Sequence, residues 1–413
     1  MSFSKLQRQF GMGSGRLILS AVMYSPNLGD GVIAECVSHA AGVPTAWLDL
    51  AGRTRFDGPG SHKRAHVLRA LDALPPAVSH RLASQLVRNQ IRTKLLPLID
   101  REMPGSCGVL FGGGQIFADA HLNFPLKIAA THAQAQRHGL PVAIQGVGVS
   151  KQWSSDASDL FGKVFAQPLA HISVRDFASR DNLARHLART KKTVPDIHVF
   201  PDPGFLASRY FRPEPKASNT IGLGITHPAP LIVHGGSDYR LPLRTYVSRY
   251  AKLAAEIARG GMAVELFTNG AAEDESCLRS VFDAIPSSVK PMITVAKRCE
   301  APRDFMALVS GFSAVVSHRM HANIVAHSYG IPCVGLSWDA KMAACFDLMG
   351  RKTALLDGRL TDPGAIAQKT VAESTTGITT DDRHQTLLNN AARGVEMAID
   401  AIGATRAPFR TAV

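Results

Sequence analysis

Arg319, His321 and Lys341 are the residues of this chain whose types and spacing point most directly to chemistry. Two permanent cations and an imidazole that titrates near neutrality can grip a small anion and move a proton beside it. Whether they share a site depends on the elements that carry them. Residues 313–350 read as β-loop-α-β-loop-α: an apolar, β-branched run at 314–317, a helical pattern opened by His318-Arg319-Met320-His321 and stopped by Gly330, a second apolar run at 331–336, and a helix opened by Asp339 that closes at Gly350. In such units both loops follow the carboxyl ends of parallel strands, so they lie on one edge of the sheet. That places Arg319, His321, Asp339 and Lys341 together, at helix N-termini that favour anions.

The rest of the chain repeats the alternation. Apolar runs at 16–22, 45–50, 107–111, 141–145, 171–174 and 197–200 each deliver a polar or glycine-rich loop. The first delivers Asn27 and Asp30, with Asp30 expected to cap a helix ending at Gly42. The third ends in Gly112-Gly113-Gly114, whose backbone N–H groups are expected to face a ligand. The fifth delivers Arg175-Asp176, and the sixth Asp202. Helices are expected at 63–74 and at 79–101, the latter shortened by Pro97. Residues 212–218, rich in proline and polar groups, read as a domain linker. Strands are expected again at 221–225 and 263–267, the second delivering Asn269, and a weak one at 292–295. The last segment carries Leu387, Leu388, Ala391, Val395, Ala398, Ile399 and Ile402 on one face of a long amphipathic helix. The expected architecture is α/β, with two Rossmann-like, doubly wound domains facing a cleft. The expected division is 1–211, linker 212–218, 219–375, and a C-terminal helix and tail at 376–413.

Composition narrows the function. A chain of 413 residues can bury two cores, and its formal charge of +13 favours anionic partners. The basic residues are dispersed and lack the aromatic interleaving of an RNA-stacking surface, so nucleic acid is disfavoured. An anionic substrate fits better, with its acceptor held at an anionic membrane surface as an option. No apolar run is long enough to span a bilayer, and the polar-basic start lacks a signal-peptide core, so a cytoplasmic enzyme is expected. The six cysteines form no Cys-x-x-Cys and read as buried free thiols. No P-loop, dinucleotide fingerprint, nucleophile elbow or zinc-helix motif is present, and nothing demands a metal.

Taken together, Asn27-Leu28-Gly29-Asp30, Gly112-Gly113-Gly114, Ser173-Val174-Arg175-Asp176, Pro201-Asp202-Pro203-Gly204-Phe205, Arg319-x-His321, Gly330-Ile331-Pro332 and Asp339-x-Lys341 resemble the motifs of the polysaccharide pyruvyltransferase family. The resemblance implies a GT-B-like fold and transfer of a pyruvyl group from phosphoenolpyruvate to sugar hydroxyls, commonly as a ketal, in exopolysaccharide or cell-surface glycan synthesis. Phosphoenolpyruvate is then the donor substrate, no cofactor is needed, and the acceptor is a glycan or lipid-linked saccharide. Under that reading Arg319 and Arg175 clamp the donor's anionic groups. His321 moves the proton of the sugar hydroxyl, and Lys341 binds the phosphate or acts as the acid. Asn27, Asp30 and Gly112 to Gly114 form the acceptor-side wall, and Asp202, Asn269 and Asp339 line the same edges. A GT-B glycosyltransferase or epimerase acting on a nucleotide sugar is the competing enzyme class, and a non-catalytic glycan-binding protein the competing binding class.

Overall fold

The computed structural model describes residues 15–56, 75–119, 121–189, 196–213, 219–229, 231, 241–376 and 381–403. The helix expected at 63–74, most of the linker and most of the loop before Pro242 lie outside these residues.

The described strands form two six-stranded, wholly parallel sheets. The first holds β1 (Leu17–Ala21), β2 (Thr45–Asp49), β3 (Gly108–Gly112), β4 (Val142–Val147), β5 (His171–Val174) and β6 (His198–Val199), in the order β2-β1-β3-β4-β5-β6. The second holds β7 (Thr220–Gly224), β8 (Ala263–Phe267), β9 (Ile293–Val295), β10 (Ala314–Ser317), β11 (Cys333–Ser337) and β12 (Leu355–Asp357), in the order β12-β11-β10-β7-β8-β9. Central strands are apolar on both faces because helices cover both. In β1, Leu17 and Leu19 enter one core while Ile18 enters another.

The strand orders explain where the polar loops gather. Chain progression reverses between β1 and β3 in the first sheet and between β7 and β10 in the second. At such a switch point neighbouring crossover connections leave toward opposite faces and open a crevice beyond the carboxyl ends. Asn27, Asp30 and the glycine run flank the first crevice. Arg319 and His321 open the second.

The two sheets share one apolar core. Leu28, Phe205 and Leu206 from the first half pack in the same cluster as Ala322, Ile324 and Phe346 from the second. The helix Asp382–Ile402 joins this cluster through Leu387, Ala391, Val395 and Ile399, and packs back onto β4 and β5. Its Gly394 lies against the Phe200 ring, where a Cβ would come within 2.6 Å.

Local details depart from the sequence expectations in three places. Asp30 lies inside the first turn of helix Leu28–Ala41, and Asn27 holds the N-cap position. The region around Pro97 continues as helix: Pro76–Gln90 runs through a π turn at Ile91–Leu95 into Leu96–Glu102. The Leu96 N–H reaches back five residues to the Ile91 carbonyl, and the wider turn accommodates a proline that has no N–H to donate. Cys107 stands just before β3 and is only half-buried, whereas the other five cysteines are buried and all six are free. Among the described residues no helix is long and apolar enough to cross a membrane.

Candidate active site

The glycine run at the end of β3 is shaped by backbone conformation and packing. Gly113 and Gly114 adopt φ of 68° and 69°, which favours residues without a Cβ. A side chain at Gly113 would also overlap Ile33. The expectation that this run offers its N–H groups to a ligand is corrected at Gly113, whose N–H donates to the Gln145 carbonyl at 3.0 Å. Gly114 accepts the Gly148 N–H at 2.8 Å through its carbonyl. What the run provides is close approach: Asp30 sits beside Gly114.

Asn27 and Asn269 face each other from the two halves. The Asn269 amide donates to Asn27 Oδ1 at 3.4 Å, and the Asn269 carbonyl accepts the Leu28 N–H at 2.8 Å. Both residues therefore join the two halves.

The loops after β5 and β6 meet His321 at that junction. Asp202 caps the short turn Pro203–Leu206, its Oδ1 accepting the Gly204 N–H at 2.9 Å. Its Oδ2 lies 3.7 Å from His321 Nε2 and 4.0 Å from Arg175 Nη1. Burial alone would raise the Asp202 carboxyl, but the neighbouring His321 ring together with Arg175 and the Gly204 N–H holds it below its ordinary value. Arg175 is buried against Gly148 and stands 3.5 Å from both Asp176 Oδ2 and Gln115 Oε1. These contacts are all long, so the guanidinium sits in an acidic cradle without a tight bidentate partner.

Arg319 is held differently. Its Nε donates to Asp274 Oδ2 at 3.0 Å, and its Nη2 donates to the same oxygen. The other Asp274 oxygen accepts the His227 N–H at 2.7 Å. One fully buried carboxylate thus ties together the loops after β7, β8 and β10. Burial pushes the Asp274 carboxyl up against the opposing charge of Arg319. Burial also opposes the arginine's charge, yet Asp274 outweighs it and holds the guanidinium above its ordinary value.

Lys341 follows β11. Asp339 caps its helix by accepting the Lys341 and Met342 N–H groups at 3.1 Å, and its Oδ2 lies 3.4 Å from Lys341 Nζ. Burial lowers the Lys341 ammonium, Asp339 partly restores it, and Arg175 across the cleft lowers it again. The lysine therefore senses Arg175 from the opposite sheet.

His318 turns away from the cleft. Its Nδ1 pairs with the Tyr250 hydroxyl at 2.7 Å, and burial, with Arg319 and Arg249 nearby, pushes it down to about 3. It is a neutral structural histidine.

The structure thus brings Arg175, Asp202, His321 and Lys341 around one junction, with Arg319 adjacent and already paired. Sequence reasoning missed Asp274, Gln115 and Gly148, whereas Gly29 stood in the motif Asn27-Leu28-Gly29-Asp30. Asp274 is 45 residues from the arginine it binds, and only the β8–β10 geometry relates them.

Two solved structures share the whole architecture. A protein assigned as UDP-N-acetylglucosamine 2-epimerase from Listeria monocytogenes aligns over 92% of this chain and 94% of its own, at TM-score 0.50 and 10% identity. A trehalose-6-phosphate synthase aligns over 94% and 98%, at TM-score 0.50 and 12% identity. At such identities the likeness establishes the GT-B-like fold and nothing finer. No curated protein matches the chain by sequence. A family model described as polysaccharide pyruvyl transferase matches residues 45–340, from β2 to the start of helix Ala340–Leu348, and the chain belongs to that family.

Proposed function

We propose that the protein transfers the pyruvyl group of phosphoenolpyruvate to the hydroxyls of a saccharide, as an enzyme of cell-surface or exopolysaccharide synthesis. The observation that carries this reading is the convergence of Arg175, Lys341 and His321 from two sheets on one junction. Phosphoenolpyruvate bears a phosphate and a carboxylate on a three-carbon skeleton, and two cations facing each other across a cleft match that charge pattern. Arg175 and Lys341 hold these groups, and Arg319, fixed by Asp274, closes the donor side of the site.

Protonation at the methylene carbon creates an oxocarbenium-like centre at C2. A sugar hydroxyl attacks C2 and gives its proton to His321. Inorganic phosphate then leaves, and a second hydroxyl closes the ketal as its proton is lost. Burial weakens the Lys341 ammonium as a proton holder, which suits it to the acid role toward the methylene carbon. The acceptor is a glycan or lipid-linked saccharide entering beside Asp30 and Gly114. The reading needs no resident cofactor and a cytoplasmic setting, with the +13 charge available for contact with an anionic membrane face.

The test is thermal stability with and without phosphoenolpyruvate. A ligand at a hundredfold excess over its dissociation constant stabilises the folded state by about 2.7 kcal/mol. The shift is expected in the native protein and lost in Arg175→Ala and Lys341→Ala. A shift with a nucleotide diphosphate and none with phosphoenolpyruvate would favour a nucleotide-sugar enzyme instead.

A further inference from the structure

Resting on His321 as the proton-transfer group of that reading, we propose that Asp202 and Gly29 are positioning residues that pose His321 with Nδ1 as its reacting nitrogen.

The geometry constrains the ring from two sides. Asp202 comes from the first half of the chain and His321 from the second, and Oδ2 faces Nε2 at 3.7 Å. The other carboxylate oxygen is fixed by the Gly204 N–H at 2.9 Å, so the group cannot swing freely. At 3.7 Å the two atoms lie just beyond hydrogen-bond distance, and both are buried with no other hydrogen-bond partner among the described residues; because an ionised carboxylate offers only acceptors, its charge favours the tautomer that carries the ring proton on Nε2. The lone pair is then on Nδ1. Asp30 also lies within electrostatic reach of the ring, and burial pushes its carboxyl up.

Gly29 supplies the second constraint. It lies within helix Leu28–Ala41 and does not share the positive φ of Gly113 and Gly114, so its backbone does not require glycine. Glycine inside a helix is destabilising relative to alanine. What requires it is the histidine: a Cβ at Gly29 would stand 2.6 Å from both Cβ and Cγ of His321 and would overlap Nδ1. The missing side chain makes the room that the Nδ1 edge occupies beside the Gly29 backbone, while Nε2 is buried toward Asp202. Gly204 meets the opposite edge near Cδ2. As the acceptor oxygen bonds to C2, Nδ1 takes the hydroxyl proton, Nε2 keeps its own, and Asp202 faces the resulting imidazolium.

The test reads the tautomer directly. Protein labelled with ¹⁵N-histidine is examined by NMR at a pH where the ring is neutral, and the His321 signals are identified by their loss in His321→Gln. The expected pattern is a protonated Nε2 and a bare Nδ1, with that preference lost in Asp202→Asn. Asp202→Asn is also expected to lose about 10²-fold or more in kcat, with KM for phosphoenolpyruvate within about threefold. Gly29→Ala is expected to keep donor binding and lose turnover; if it does not fold, the tautomer in Asp202→Asn decides alone. A protonated Nδ1 in the native protein, or a tautomer indifferent to Asp202→Asn, overturns the proposal. The expected tautomer in a protein that consumes no phosphoenolpyruvate would leave the pose standing and remove the donor assignment instead.

Discussion

The two walls of the cleft are built on opposite principles. On the second wall Arg319 and Lys341 each have an acid of their own, Asp274 and Asp339. Both pairs form within one sheet's loops and need nothing from the other half. On the first wall the carboxylates outnumber the cations, and Arg175 sits among Asp176, Asp202 and Gln115 at distances of 3.5 to 4.0 Å. His321 belongs to neither pattern, because its acidic partner is across the cleft. Cations with local partners are held before substrate arrives, which favours electrostatic preorganisation. If His321 moves the proton as proposed, its pose depends on how the halves meet. The shared core through Phe205, Ile324 and helix Asp382–Ile402 fixes that meeting.

The largest effect separates the cross-cleft group from its neighbour. His321→Gln is expected to lower kcat by about 10²–10⁴-fold with little change in stability, as befits removal of a proton-transfer group. His318→Gln, three residues earlier, should act on stability and leave the reacting groups in place. Equal loss of kcat in the two variants, measured by phosphate release, would erase the distinction between them.

The next effect probes the buried pair. Asp274→Asn leaves Arg319 without its counter-charge in a desolvated position, and breaking such a pair typically costs about 3–5 kcal/mol. Urea denaturation is expected to show a loss of that size, together with weaker donor binding as Arg319 is released. A change below about 1 kcal/mol would mean that Arg319 re-pairs, and that Asp274 does not fix it.

Much of this was legible in the sequence because strands and glycines are local signals. β5, β8 and β10 follow directly from short apolar runs at 171–174, 263–267 and 314–317, and Gly42, Gly330 and Gly350 mark helix ends through their left-handed φ. Arg175, Asp202, His321 and Lys341 were visible as polar residues following strands. Their partners were not, because pairing depends on strand order. β10 neighbours β7, which precedes it by some ninety residues, and β8 lies just beyond. Asp274 therefore reaches Arg319 through a spatial adjacency that no spacing encodes. The π turn at Ile91–Leu95 was hidden for a different reason: a proline inside a helical pattern signals disruption, and only packing decides whether the helix stops or widens.

A third prediction concerns acid sensitivity behind the second wall. His318 is pushed down to about 3 by burial and neighbouring cations, whereas an unfolded histidine titrates near its ordinary value. Between these values the unfolded chain takes a proton that the folded protein refuses. Stability therefore falls as pH drops from about 6.5 toward 3, by about 1.4 kcal/mol per pH unit for this one residue. Denaturation curves from pH 6.5 to 4.5 should show a shallower decline in His318→Gln. An unchanged slope would assign the acid sensitivity to other groups, such as His327, which burial also pushes down to about 3.

The smallest effect sharpens the contrast between the second wall's two ion pairs. The Lys341 side chain is 30% exposed, against 16% for Arg319 and 0% for Asp274. Solvent reaches the Lys341–Asp339 pair and screens it, so the charge interaction is worth about 0.2–1 kcal/mol at most. Asp339 also caps helix Ala340–Leu348, but asparagine caps nearly as well as aspartate, so Asp339→Asn isolates the charge. Stability should fall by less than about 1 kcal/mol. The functional consequence should be larger than the structural one. Without Asp339 beside it, and with burial and Arg175 still lowering it, the Lys341 ammonium gives up its proton more readily. The limb of the pH–rate profile set by that acid should move to lower pH in Asp339→Asn, and a limb that stays in place would take Lys341 out of the acid role.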